Sequence, residues 1–354
     1  MSKDYTIEAL LALVRGGLWE KEISLSDYGT IDYAKILLLA QEQADVGLVT
    51  AGLEHVLDVK VPKDILLQYV GYAVQLEHRN AAMNHFIEDI VTKMREQDIF
   101  ALLVKGQGIA QCYERPSWRT SGDIDLFLNN TNYNKAKKFL GPLSSKSKKE
   151  RRYSLEWGLN MDTWNVELHG SLRTGLSTRV DSVVDEVQRS VFNEGLFRSW
   201  QNNKTQVFLP AENEDVFIVF THFIKHFYKE GGVKLRQMCD WCRLLWTYRD
   251  TIDTVLLEKR LRQSRLMREW KAFAAVAVDY LGMPIDAMPL YDEKMKWSKK
   301  AEKIIAYILK GGEWRRFEDT WRVSRIFPLN TFRFLPGILF NVNWLKIKER
   351  VFAS

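Results

Sequence analysis

The stretch Gly122-Asp123-Ile124-Asp125-Leu126-Phe127-Leu128 places two carboxylates at alternate positions of a short apolar run. Successive side chains of a strand point to opposite faces, so Asp123 and Asp125 share one face while Ile124, Leu126 and Leu128 share the other. Aspartate is disfavoured in strands, and two like charges on one face repel. A divalent cation between them reverses that balance, because hard cations such as magnesium prefer oxygen ligands. An isolated Asp-x-Asp reads more simply as a turn cap beside a surface ion pair; the surrounding sequence decides between the two.

Upstream, the run from Ile99 to Val104 ends in Lys105-Gly106-Gln107-Gly108, the pattern of a buried strand entering a glycine turn, with a short helix expected from Ile109 to Tyr113. Downstream, Asn129-Asn130 stops the strand and a helix is expected from Asn132 to Leu140. The basic segment Ser144 to Arg152, with Lys146, Lys148, Lys149, Arg151 and Arg152, reads as an exposed loop. Strands Tyr153–Met161 and Trp164–Leu172 follow, joined at Asp162-Thr163 as a hairpin. The second carries a third acid, Glu167, with Val166 and Leu168 on its opposite face. A helix around Ser182–Arg189 and a strand Gln206–Leu209 lead to Pro210.

Both flanks are helical. Apolar residues from Thr6 to Gln97 recur at helical spacing, Pro62 suits a helix start, and Ile65–Gln97 spans one or two long helices. Beyond Pro210 helices are expected at Glu214–Lys229, Leu235–Tyr248, Val255–Gln263, Met267–Leu281 and Ala301–Leu309. The fold class is therefore α+β. A helical N-terminal region (1–97) precedes a core with a small mixed sheet (98–210), and a C-terminal helical region (211–354) ends in an aromatic and basic tail, Phe327 to Phe352. Two prolines in that tail, Pro328 and Pro336, deny it a long helix, so it is expected to fold back on the core.

With 354 residues, 46% of them hydrophobic and 12% aromatic, the chain is globular rather than disordered. A formal charge of +6 suits an anionic partner, a nucleotide as readily as a nucleic acid. Three cysteines are too few for a disulfide scaffold. No basic segment followed by an apolar core opens the chain, and no apolar run reaches the roughly 18 residues of a membrane span, so a soluble cytoplasmic protein is expected.

Three strand carboxylates beside a glycine turn fit phosphoryl chemistry, which needs positioning and charge neutralisation above all. Asp123 and Asp125 are the expected metal ligands. Glu167 either completes a second metal site or takes the acceptor proton. Backbone amides around Gly106, Gln107 and Gly108 would cradle phosphates at the helix start.

The string Leu103-Val104-Lys105-Gly106, then Tyr113, Arg119 and Gly122-Asp123-Ile124-Asp125-Leu126, followed by Glu167-Leu168-His169, resembles the signature of the uncharacterised nucleotidyltransferase family within the DNA polymerase beta-like superfamily. Thr221-His222-Phe223-Ile224-Lys225-His226, Leu235-Arg236 and Asp240 are similar to that family's C-terminal helical pattern. The resemblance spans roughly Glu8 to Trp246. It implies a polymerase beta-like nucleotidyltransferase core using magnesium, with manganese as the alternative, and a nucleoside triphosphate such as ATP. It also implies nucleotide-binding roles for Lys105, Arg119, Gly122, His169, Arg236 and Asp240. Lys105 and Arg119 balance triphosphate charge or pair with nearby acids; His169 orients Glu167 or is structural. Two departures stand out. Gly106-Gln107-Gly108 replaces the usual Gly-Gly or Gly-Ser, and Leu126 stands where some relatives have a third acid.

His222 with His226, and Cys239 with Cys242, have the spacing of a zinc site, but buried cysteines and hydrogen-bonded histidines on amphipathic helices are the preferred account. The leading functional expectation is nucleotidyl transfer to a hydroxyl on a small molecule or protein, with nucleic acid less favoured. The alternative is a catalytically silent nucleotide-binding or regulatory protein.

Overall fold

The computed structural model describes residues 5–229, 232–310 and 316–336. Four helices open the chain: α1 (Thr6–Trp19), α2 (Tyr33–Gln43), α3 (Val46–Leu53) and α4 (Lys63–Glu96). The stretch after Pro62 is thus a single helix of 34 residues. Glycines let α1 and α3 meet backbone to backbone: a Cβ built on Gly52 would lie 2.0 Å from the carbonyl oxygen of Leu13.

The sheet then forms from β1 (Leu102–Val104), β2 (Ile124–Phe127), β3 (Lys146–Ser147), β4 (Glu156–Met161) and β5 (Trp164–His169), with α5 (Gly106–Ala110) after β1 and α6 (Asn130–Leu140) after β2. Its order is β1-β2-β5-β4-β3. Only the β2–β5 pair is parallel, so the sheet is mixed. The β4–β5 hairpin turns at Asp162, whose φ is +53°. The basic segment expected as a loop supplies β3, the edge strand beside β4. Its alternation is invisible in sequence because both its side chains are exposed.

One face of the sheet is apolar. Ile124, Leu126 and Leu128 of the β2 region join Val166 and Leu168 of β5, and the layer packs on Met83, Ile87 and Ile90 of α4 and Tyr133 and Ala136 of α6. Beyond the sheet come α7 (Thr178–Asn193) and the hairpin β6 (Phe197–Asn202) with β7 (Thr205–Pro210). Strand β6, with mostly half-buried and exposed residues, gives no periodic signal and was not expected from the sequence.

The chain continues through α8 (Glu212–Lys229), α9 (Leu235–Thr247), α10 (Thr254–Ser264), α11 (Met267–Asp279), α12 (Met295–Leu309) and α13 (Arg316–Ile326). A continuous apolar core joins residues of α1–α3 to those of α8–α12. Phe220, Phe223, Trp241 and Trp270 pack at its centre with centroids 4.8–5.7 Å apart, edge to face except for the tilted Phe220–Trp241 pair. Of the tail, Phe327 and Phe334 are buried, and Phe334 packs 4.9 Å from Tyr228. The tail beyond residue 336 lies outside the described residues. Among the described residues no helix is long and apolar enough to cross a membrane.

Gly52→Ala is expected to lower the unfolding free energy by about 1–3 kcal/mol, the usual cost of overpacking. Urea denaturation measures it, and an unchanged midpoint would mean α1 and α3 do not touch as described.

Candidate functional site

The parallel register of β2 and β5 sets Asp125 directly opposite Glu167 and Phe127 opposite His169. Alternation sends the neighbours Ile124, Leu126, Val166 and Leu168 into the apolar layer, leaving the carboxylates and the imidazole on the other face. Ligand atoms of Asp125, Glu167 and His169 lie within 4.8 Å of one another, the one group of this kind among the described residues. His169 Nε2 is 2.8 Å from Asp125 Oδ1 and 3.8 Å from a Glu167 oxygen.

Lys105 donates to Asp125 Oδ1 at 2.7 Å from the turn between β1 and α5. That turn is strained: Lys105 has φ +59° and Gly106 φ +43°. A positive φ costs a lysine energy that only a fixed surrounding sustains. Burial on its own raises the Asp125 pKa, but the Lys105 ammonium and the His169 hydrogen bond outweigh it and hold the carboxyl well below its ordinary range. Glu167 is approached by Lys148 of the basic segment at 3.3 Å.

These groups open onto a cavity of about 1310 Å³. Asp123 is exposed just before β2, and it lines the cavity together with Lys105, Gly106, Gly122 and His169. Asp123 does not join the 4.8 Å cluster. Two members of the glycine turn face elsewhere. Gln107 is buried against α4, its Nε2 donating to Asn80 at 2.8 Å, and Asn80 in turn donates to the carbonyls of Ser117 and Arg119. Gly108 lets β7 approach: a Cβ there would sit 2.8 Å from Leu209.

Arg119 and Asp240 meet each other. The guanidinium donates from Nε and Nη2 to the two carboxylate oxygens at 2.8 and 2.7 Å, and Tyr113 donates to the same carboxylate at 2.8 Å. Both partners are about 5% exposed, so the pair is desolvated. Burial raises the Asp240 pKa, yet Arg119 more than offsets it and the group stays charged. Arg236 reaches the carbonyl of Thr120 at 2.7 Å. The sequence elements Tyr113, Arg119, Arg236 and Asp240 thus bind α9 to the loop before β2, at the rim of the cavity.

His222 and His226 stand one turn apart on α8, their Nε2 atoms 3.0 Å apart, and both line the cavity. Cys239 and Cys242 are fully buried on α9 and do not join them in a metal cluster among the described residues. Burial and then the charge of Lys105 push the His222 pKa well below its usual value. The sequence did not single out Arg173, Lys234, Lys310 or Arg322, which line the cavity together with Lys225, a residue quoted only as part of a helical pattern. Lys225 alone carried a signal, lying on the helix face of His222.

A sequence model of a family described as "uncharacterised nucleotidyltransferase" matches residues 29–282, well over half the chain. This chain belongs to that family. The match runs past Trp246, where the resemblance read from motifs ended, to take in α10 and α11. No curated protein and no solved structure matches.

Asp240→Asn leaves Arg119 buried without its counter-charge and is expected to cost about 3–5 kcal/mol by denaturant titration, whereas Arg119→Met combined with Asp240→Leu should lose much less. Equal losses would show that the pair is not coupled. For His222 the folded pKa is depressed, so the unfolded chain binds more protons below about pH 6.5. Stability from this group is complete above that pH and declines as pH falls below it. His222→Gln should therefore flatten the acid limb of a melting-temperature profile between about pH 6.5 and 5, and an unaltered limb would contradict the assignment.

Proposed function

We propose that the chain transfers a nucleoside monophosphate from a nucleoside triphosphate to a hydroxyl group, with a divalent cation held by Asp123, Asp125 and Glu167. The observation carrying this reading is the pairing of Asp125 with Glu167 across parallel strands, beside the Lys105-Gly106 turn and open to a large cavity. The donor set suits such an ion. Carboxylate oxygens favour magnesium, and the 4.8 Å spread of Asp125, Glu167 and His169 is close to the ~4 Å across a magnesium coordination sphere. An imidazole at the edge of the set favours manganese.

A divalent ion held by these residues would supply neutralisation of the charge that develops on the phosphates. The residues do the rest. His169, hydrogen-bonded to Asp125, fixes that carboxylate's orientation, as partners of metal-ligating groups generally do. Lys105 sits where it meets both Asp125 and an incoming phosphate. The first-turn amides of α5, which lack intrahelical acceptors, present Gly106 to the same phosphates. Glu167, whose ion-pair partners among the described residues are an exposed lysine and the imidazole, either joins Asp125 at the ion or takes the acceptor's proton. Arg119 and Asp240 act on this site by positioning the loop that carries Gly122 and Asp123, while Arg236 at the cavity rim is available to the triphosphate.

A small molecule or a protein is the preferred acceptor over RNA. Two cations of the basic segment are engaged by acids, Lys148 by Glu167 and Arg151 by Glu156 at 2.9 Å, although both side chains stay largely exposed.

Labelled nucleoside triphosphates incubated with magnesium and a fractionated cell extract should yield a labelled product and pyrophosphate. Asp125→Asn and Glu167→Gln should each reduce that turnover more than about 100-fold, beyond the 10–100-fold loss that removing a mere supporting partner produces, with circular dichroism unchanged. Full turnover in Asp125→Asn refutes the reading. Nucleotide binding without pyrophosphate release from any acceptor fraction would mark a binding protein instead.

A further inference from the structure

The cavity is polarised in a way that the transfer of a nucleotide alone does not require. On the sheet side its cations are matched by acids: Lys105 with Asp125, Arg173 with Asp185, and Arg151 and Lys225 with Glu156. On the helical side stand Lys234 at the start of α9, Lys310 just after α12 and Arg322 in α13. Among the described residues none of these three forms an ion pair; the acids near them are Glu42, which lines the same cavity, and the buried Asp45, which feels the charge of Lys234.

Their proximity is fixed by Gln43 at the end of α2. Its side-chain amide donates to the carbonyl of Ile308 at 3.1 Å and its oxygen accepts from the backbone amide of Leu235 at 2.9 Å. One buried side chain therefore ties the residue after Lys234 to the residue two before Lys310, and Gln43 itself lines the cavity. Arg322 reaches the same wall because α13 packs on α8 and α12. Three cations outside any ion pair, gathered on a concave wall, outnumber its acids, raise the local concentration of anions and favour phosphate, to which lysine and arginine both donate charge-assisted bonds.

Size separates this wall from the nucleotide. Pockets for one small ligand run to about 300–1000 Å³, and this cavity exceeds that range at about 1310 Å³. We infer that Lys234, Lys310 and Arg322 form an acceptor subsite for a phosphate-bearing small molecule whose free hydroxyl is turned toward Asp125 and Glu167. This inference rests on the nucleotidyl-transfer reading and names the acceptor's class. In the step it serves, the acceptor oxygen bonds to the α-phosphorus and the bond from that phosphorus to pyrophosphate breaks. The hydroxyl proton passes to Glu167 or to solvent, and no oxidant or reductant is involved.

The test is calorimetric titration of the full chain, saturated with magnesium and the tightest-binding of the four α,β-methylene nucleoside triphosphates. Glycerol 3-phosphate should bind and glycerol should not. Lys234→Ala, Lys310→Ala and Arg322→Ala should each weaken glycerol 3-phosphate binding about 10-fold, the size of a strong charge-assisted hydrogen bond, with nucleotide affinity unchanged within about twofold. Since Lys234 and Arg322 lie on the surface of their helices, circular dichroism of each variant should match the parent.

Three results overturn the inference. Nucleotide affinity that falls in step with these variants makes the wall a triphosphate site. A failure of both inorganic phosphate and glycerol 3-phosphate to bind removes the subsite. Binding of a single-stranded RNA oligonucleotide, lost in the same variants and steeply weakened by salt, assigns the wall to nucleic acid. The transfer reading fails separately, through full turnover in Asp125→Asn, and the phosphate titration can be read on nucleotide-free protein in that event.

Discussion

Two carboxylates held opposite each other on adjacent parallel strands repel, and a fold that builds such a pair must compensate it. Here the compensation comes from three directions. Lys105 arrives from a turn with a left-handed lysine, His169 from two residues further along the same strand as Glu167, and Lys148 from the edge of the sheet. Each draws on a different element, so the site cannot assemble until β1, β5 and the segment after α6 are all in register. The strain at Lys105 is sustained because the ammonium gains a buried partner there.

The helical regions answer a second constraint. On its second face the five-stranded sheet carries only a small apolar cluster, Leu102, Val104 and Phe127 on Val191 of α7, and its polar part is left open to the cavity. The far wall is supplied by α8 and α9, whose own apolar faces are buried against α1–α3 and α10–α12 in one continuous core. The Arg119–Asp240 pair is the polar seam between these two bodies. A buried ion pair is weak evidence for net stability, since desolvation offsets much of its attraction, but it is demanding in geometry. Its value here is alignment: it fixes where α9 stands relative to the loop that carries Asp123.

Much of this was legible in the sequence wherever alternation is clean. Ile124 to Leu128 and Val166 to His169 declare strands and faces because Asp125, Glu167 and His169 alternate with buried apolar residues, Phe127 breaking the pattern at the end of β2. Lys146-Ser147 and Phe197–Asn202 were not legible as strands, since edge and hairpin strands with exposed side chains satisfy pairing without an apolar pattern. Arg119 and Asp240 are separated by 121 residues, and nothing local marks them as partners. Cys239 and Cys242 have a spacing that suits a metal, but they lie on a buried helix face, the reading preferred from the sequence. The cationic wall was invisible because Lys234, Lys310 and Arg322 are far apart in sequence and are gathered by Gln43, a residue with no motif around it, and by the packing of α13 on α8 and α12.

Gln107 turns away from the cavity and is held by Asn80, which also holds the carbonyls of Ser117 and Arg119. The glycine turn and the approach to β2 are thereby riveted from behind to the longest helix of the chain. A turn fastened in this way cannot act as a flap. If substrates are enclosed during turnover, the movement belongs to the helices on the opposite wall, and the sheet with its carboxylates serves as the anvil against which they close.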